Sequence, residues 1–451
     1  MKKTISLVVL AAMLCFLLSG CVFSFANIDE VLRPPRPYGT NRSLQEAFEK
    51  RGNGDVIFKS PVSGKYLSAF VINDIDGDGK NEAMVFFSKG AYETSVNMDF
   101  FEQDKDGWKY LMSLTGAGRN VYSVDFTDMN GDGKKEIAVC WSLLEGKSNK
   151  VISIYTLDSG SGRIKELAAE LYTVSLFADI DGDREIEIVL ALFENTSEKQ
   201  ASTVKVLKMD DKGAVKMADK KELDGNISGY AAIKTDITDG SSNVNIYIDA
   251  YKGESQMITD VVYWNKVTGS LSVPLLNGDT RSNTSSFREA GLLSEDINGD
   301  GIIDIPAQSM TSAGAVMNGT QKEASPFYIT EWFDVVNGRK ATEEYSLINR
   351  SEKCRFILPE RNAKRLFVIN NTDTNKWDFY ELDKNGSMDS GCIFSVVFSN
   401  SELMKTSSGL YEGYSVLKKH EDKILLVSGA LTDTFVGMSG EKLAECFCYY
   451  D

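Results

Sequence analysis

Histidine is almost missing from this chain: His420 is the single one in 451 residues. One imidazole excludes most His-ligated zinc and copper sites and leaves one candidate base for a Ser-His-Asp or Cys-His mechanism. Its neighbours, KKHEDK, read as a solvated turn. Positive charge is also short, with 49 Lys and Arg against 65 Asp and Glu, a net of −16. A fold this acidic repels phosphate backbones, so no nucleic-acid partner is expected. P-loop, Rossmann, nucleophile and clustered His/Cys motifs are all lacking. Seven cysteines occur without regular spacing, so no disulfide framework follows. Cys140, Cys354, Cys392, Cys446 and Cys448 read as single thiols, mostly buried. Beyond residue 20 no run is long and apolar enough to cross a bilayer.

What is present begins with a targeting segment. In MKKTISLVVLAAMLCFLLSGC, Lys2 and Lys3 precede an apolar core from Ile5 to Leu18 that is too short to span a membrane comfortably. Leu18-Ser19-Gly20-Cys21 resembles the lipobox of bacterial lipoproteins. That resemblance implies cleavage after residue 20, acylation of Cys21, and a chain anchored to the cell envelope without spanning its membrane. Cleavage removes two lysines and no acid, leaving 47 basic against 65 acidic residues, net −18. Residues 21–44, with Pro34, Pro35 and Pro37, read as a tether. Ser43-Leu44-Gln45-Glu46 matches a capping box and predicts a short helix through about Arg51.

The strongest signal is internal repetition. VINDIDGDGKNEAMVFF, VDFTDMNGDGKKEIAVCW, LFADIDGDREIEIVLALF, IKTDITDGSSNVNIYIDA and LLSEDINGDGIIDIPA align, with their leading aspartates at 74, 128, 179, 236 and 296. A period of 51 to 60 residues points to an array such as a propeller. Each unit carries a short apolar run that reads as a strand buried on both faces, such as Met84-Val85-Phe86-Phe87. Further on come hairpins: MDFFEQDKDGW, VISIYTLDSGSG, VKVLKMDDKG, VVYWNKVTGS and YITEWFDVVNG. Three to four strands per unit suit a propeller blade. The expected fold is therefore all-β, a seven-bladed propeller after a short helix. Residues 45–350 would supply five clear repeats, and 351–451 two degenerate blades or a small β-rich domain.

Within the loops the acids alternate. The first has Asp74, Asp76 and Asp78 at positions 1, 3 and 5, Gly79 at 6 and Glu82 at 9. The second has Asp128, Asn130, Asp132 and Glu136, with Gly133. The third has Asp179, Asp181, Asp183 and Glu187, with Arg184 in place of Gly. The fifth has Asp296, Asn298, Asp300 and Asp304, with Gly301. Alternate oxygens on a tight curl point inward, and Gly permits the positive φ the curl needs. Position 7 would add a backbone carbonyl, read as Lys80, Lys135, Glu185 and Ile302. An all-oxygen, carboxylate-rich set suits calcium before magnesium, at three to four sites. An EF-hand would need a bidentate Glu at position 12, which here is Val85, Val139, Leu190 and Ala307. The fourth loop keeps Asp236 but has Thr238, Gly240 and Val244, so no calcium is expected there. A non-Gly residue at 184 must adopt a strained backbone and brings positive charge.

The four loops resemble the calcium loops of integrin-type propellers, the FG-GAP or VCBS repeats, over about residues 60–350. That family implies loops that join two strands of a blade, calcium in a structural role, and a loop face that binds a partner. The expectation is an interaction module for a protein, glycan or cell-wall ligand. The alternative is a carbohydrate-active enzyme on the same scaffold, a glycosidase using two carboxylates or a calcium-assisted lyase; Glu331 and Asp334, or Glu343 and Glu344, are paired acids read as surface charge.

Overall fold

The computed structural model describes residues 40–450 except 91–92, 106, 144–148, 159, 199, 237–243, 311–327, 364, 382–390, 407–410 and 430–439. The signal segment and Cys21 lie outside the described residues. What is described is all-β, in six antiparallel sheets that mostly run in chain order. The first sheet contains Phe70–Asn73, Glu82–Ser88, Asn97–Asp104 and Gly107–Thr115, with Ile57–Phe58 added beside Glu82–Ser88. The second is Asn120–Thr127, Glu136–Ser142, Lys150–Asp158 and Arg163–Tyr172. The third is Val174–Ala178, Glu187–Asn195, Gln200–Met209 and Val215–Glu222. The fourth is Gly229–Thr235, Asn245–Lys252, Gln256–Asn265 and Ser270–Ser272, extended by Arg288–Glu289. All five expected hairpins form, each within its own sheet.

The second strand of each repeat explains the stacking. Side chains alternate across a sheet with a period of two, so a strand apolar at every position must be covered on both sides. Glu82–Ser88 is buried throughout. Its Met84 and Phe86 pack with Ile137, Val139 and Trp141 of the second sheet, while Ala83, Val85 and Phe87 face Leu44 and Phe48 of the helix Thr40–Lys50. Ala138 and Cys140 then meet Ile188 and Leu190 of the third sheet. Val189 and Ala191 meet Ile246 and Ile248 of the fourth, and Tyr247 meets Ile305 and Phe333 of the fifth. One apolar strand per repeat thus joins each sheet to the next.

The C-terminal third departs from the seven-sheet expectation. The fifth sheet is Ile305–Met310, Tyr328–Val336, Arg339–Asn349 and Cys354–Leu358, completed by Phe447–Tyr449 from the end of the chain. Between these last two strands lies the sixth sheet, with Leu366–Asn371, Lys376–Glu381, Phe394–Asn400, Ser415–His420 and Lys423–Gly429. Among the described residues, 351–451 therefore yield one sheet and two strands of another. The two sheets share a core in which Phe356 stacks on Phe447 with centroids 4.3 Å apart, and Phe379 on Phe394 at 4.2 Å. The far face of the sixth sheet is covered by Met404, Tyr411 and Tyr414. Among the described residues, no core cluster joins the first sheet to the sixth, because each already carries its own cover. No helix among them is long and apolar enough to cross a membrane.

The N-terminal helix starts at Thr40, ahead of the capping box expected at Ser43. Ser43 lies inside it and accepts a hydrogen bond from Trp108 Nε1 at 3.1 Å, tying the helix to the first sheet. His420 ends a strand, as an exposed side chain stacked on Tyr449 with centroids 4.8 Å apart. Cys140 and Cys354 are buried thiols, whereas Cys392 is exposed, contrary to the single-buried-thiol reading.

Candidate metal centre

Each acidic loop joins the first strand of a sheet to the second. In the fifth repeat the first strand has shrunk to one bridge, Glu295 with Asp304, closed by two hydrogen bonds of 3.0 Å. The ninth residue stands at the start of the second strand, where the sheet buries it: Glu82, Glu136, Glu187 and Asp304 are each at most 4% exposed. The second residue is apolar and plugs the core between sheets, as Ile75, Met129 and Ile180 do. These two anchors leave the curl between them little freedom.

The curl is built the same way four times. The buried ninth carboxylate accepts the N–H of the second residue: Ile75 at 2.8 Å, Met129 at 3.1 Å, Ile180 at 2.9 Å and Ile297 at 3.0 Å. The first aspartate accepts the N–H of the sixth residue, Gly79 at 3.2 Å and Gly133, Arg184 and Gly301 at 2.9 Å. The third-position oxygen accepts from the fifth residue, and the fifth from the seventh, Lys80, Lys134, Glu185 or Ile302, at 2.8 Å. In the second loop the seventh residue is Lys134 and not Lys135. Lys135 is eighth and serves the first loop instead. Its Nζ donates to Asn73 Oδ1 at 2.9 Å and to the Asp74 carbonyl at 3.1 Å, and its N–H donates to the Ile75 carbonyl at 2.8 Å.

Two residues per curl have positive φ, not the one expected. The sixth is Gly79, Gly133, Arg184 or Gly301, and the fourth is Gly77, Gly131, Gly182 or Gly299. The fourth-position glycine also permits close approach between loops, since a Cβ on Gly77 would lie 2.9 Å from the Gly133 carbonyl oxygen. Its recurrence in all four loops was available in the sequence.

Carboxylate oxygens cluster in two of the loops. In the first, Asp74, Asp76 and Asp78 bring carboxylate oxygens within 4.8 Å of one another, and in the third Asp179, Asp181, Asp183 and Glu187 do so. The second and fifth carry Asn130 and Asn298 at the third position, so their oxygen sets mix carboxylate with amide. Of the fourth loop, 237–243 lie outside the described residues. Its Asp236 is buried and acts as a link, accepting from Asn245 N at 3.2 Å and from Ile303 N of the fifth loop at 3.0 Å.

Charge accumulates where water is excluded. Burial pushes Glu82 up to about 7, with the charges of Asp76 and Asp78 adding to it. Burial likewise raises Glu187 to about 7, and it raises Glu136 and Asp304. Asp334, read from sequence as surface charge, is 4% exposed. It faces Asp304 across the sheet, one step beyond the Ile305–Phe333 pair, and burial together with Asp304 drives it to about 8. Asp304 Oδ1 and Asp334 Oδ1 are buried and meet no donor from the rest of the protein; the two carboxyl groups lie close enough to share a proton with each other. Buried carboxylate oxygens, curled acids and the lack of soft ligands fit a hard divalent cation. Of the other paired acids, Glu331 is held by Lys340 and Thr342, and Glu344 by Arg355.

In the third loop Lys208, on Gln200–Met209, places its ammonium among the acids. It bonds Asp181, and lies 3.2 Å from Asp183 Oδ2 and 3.2 Å from Glu187 Oε1. Although burial works against its charge, the bond to Asp181 and the field of Glu187 hold Lys208 above its ordinary pKa. Arg184 beside it has φ of 75° on an exposed side chain, the strained backbone expected from sequence. Relief of that strain outweighs the extra chain entropy of glycine. Arg184→Gly should therefore stabilise the protein by roughly 0.5–1 kcal/mol in urea unfolding, and a loss of stability would show that the arginine side chain holds the loop.

No protein-family model matches the chain, and no curated protein matches it. Solved structures similar to it include a hypothetical selenium-binding protein from Sulfolobus tokodaii, at 10% identity and TM-score 0.31, over 51% of this chain and 57% of that one. An exotype rhamnogalacturonan lyase is also similar, at 10% identity and TM-score 0.29, over 84% of this chain and 86% of that one. The chain thus spans just over half the length of the first, and neither likeness is close enough to bear on its chemistry.

Proposed function

We propose that this chain is an envelope-anchored binding module whose sheets are propeller blades held in register by calcium in the acidic loops. The observation that carries the reading is the acidic curl repeated in four loops, each closed by a buried carboxylate at the start of the second strand. A carboxylate buried beside two or three others is unfavourable until a cation joins it. Calcium meets that need and ties the first strand of the sheet to the second. The metal is then structural, and the ligand, a protein, glycan or cell-wall component, binds elsewhere on the loop faces. The lipid on Cys21 supplies the anchor.

The glycosidase form of the carbohydrate-active reading has less support. A groove of about 320 Å³ is lined by Tyr328 and Asn349 of the fifth sheet, Asn370 of the sixth, Arg350 and Asn375, with Glu289 as the one carboxylate among the described lining residues. Glycoside hydrolysis generally uses two.

If calcium fills the loops, chelation should lower the melting temperature by several degrees. Each site filled at a hundredfold excess over its Kd contributes about 2.7 kcal/mol. An unchanged transition would remove the calcium reading. The pH dependence should differ between the two states. Glu82 binds its proton more tightly in the folded chain, at about 7 against an ordinary 4.5. That contribution is complete below 4.5 and is lost as pH rises through 7, so the metal-free protein should weaken across this window. Calcium competes with the same proton, so the gap between loaded and chelated protein should widen from pH 4.5 to 7. A constant gap would place the ion away from the buried acids. Cys21→Ser should move the protein from the membrane fraction to the soluble fraction, and continued membrane association would remove the lipid anchor.

A further inference from the structure

The residue that faces the ninth loop position from the third strand differs in every repeat. In the first sheet Glu82 pairs with Glu102. In the second, the Ile137–Tyr155 pair places Thr156 opposite Glu136, and Thr156 Oγ1 lies 3.4 Å from Glu136 Oε1. In the third, Ile188–Leu207 places Lys208 opposite Glu187. In the fifth, Ile305–Phe333 places Asp334 opposite Asp304. One strand position therefore offers a carboxylate, a hydroxyl, an ammonium and a second carboxylate to otherwise equivalent curls.

We propose that this cross-strand residue selects the cation of each loop: Lys208 supplies the third loop with its own, so that loop takes no metal, while Asp334 is an added metal ligand in the fifth. The inference rests on the calcium reading of the remaining loops and goes beyond it.

An ammonium is a compact point charge with three donors, and Lys208 reaches three of the four acids around it. A divalent ion among these oxygens would sit against that ammonium and would first have to displace it. The ammonium also faces the Trp264 ring of the neighbouring sheet, with Nζ 5.7 Å from the ring centre. The acids it reaches belong to the set Asp179, Asp181, Asp183 and Glu187, whose carboxylate oxygens lie within 4.8 Å of one another. The fifth loop shows the opposite condition. Asp304 and Asp334 are 0% and 4% exposed, each has an oxygen that no donor outside the pair reaches, and no cationic side chain pairs with either among the described residues. Two buried carboxyl groups facing each other, with only a shared proton to join them, make a place for a divalent ion in that proton's stead, with one ligand from outside the loop.

The test is a count of bound calcium per full-length chain, purified in detergent, stripped with chelator and re-equilibrated with calcium ions. Wild type should bind three. Lys208→Met, and Lys208→Gln should the methionine variant not fold, should bind four. Asp334→Asn should still bind three, with one site weakened by about tenfold or more. Four ions in wild type, or three in a folded Lys208 variant, would overturn the role of Lys208. Three sites of unchanged affinity in Asp334→Asn would overturn that of Asp334. Wild type binding no calcium would be a distinct result, in which the calcium reading fails and the selection rule goes with it.

Discussion

A carboxylate buried at the root of each loop is the constraint on which the rest depends. The ninth residue must sit at the start of a strand covered on both faces, and there water cannot solvate its charge. The loop answers in part with one backbone N–H, from the second residue, whose own apolar side chain is fixed in the core. The other acids of the curl then crowd negative charge beside it. Such an arrangement is held by protonation, by a metal or by a cationic side chain, and the third loop uses Lys208. The metal question is therefore a question about how charge is balanced at the edge of a sheet.

The same strand that buries the carboxylate also builds the molecule. Because its side chains alternate, Glu136–Ser142 sends Ile137, Val139 and Trp141 toward the first sheet and Ala138 and Cys140 toward the third. Loop geometry and sheet stacking are thus coupled: a curl that held its strand out of register would turn every apolar side chain to the wrong neighbour. Lys135 and Asp236 make the coupling explicit by hydrogen-bonding from one loop to the next. The first and sixth sheets fall outside this scheme on their outer faces, where Phe48 and Tyr411 with their neighbours take the place of a further sheet.

Much of this was legible in the residues. The alternating acids, the apolar strands after them and the five hairpins could be read directly, because each is a short pattern governed by local chemistry. So could the strain at Arg184. Lys208 and Asp334 could not. They lie 21 and 30 residues after Glu187 and Asp304, with no constant offset, and only the pairing of strands brings them to the loops. Asp334 was misread as surface charge for the same reason. The return of Phe447–Tyr449 to the fifth sheet is likewise a long-range pairing, so extrapolating the repeat period produced seven sheets where the described residues form six. The Ser43 capping box was a local signal that misplaced the helix start, since the helix begins at Thr40 and Ser43 lies inside it, where its hydroxyl accepts from Trp108.

The most direct measurement is a crystal structure from protein grown with calcium, with anomalous scattering recorded at long wavelength. The account predicts one peak within each of the first, second and fifth curls, at 2.3–2.6 Å from their oxygens, and the Lys208 nitrogen with no peak in the third. Curls free of any peak, with Asp74, Asp128 and Asp296 turned outward into water, would contradict it.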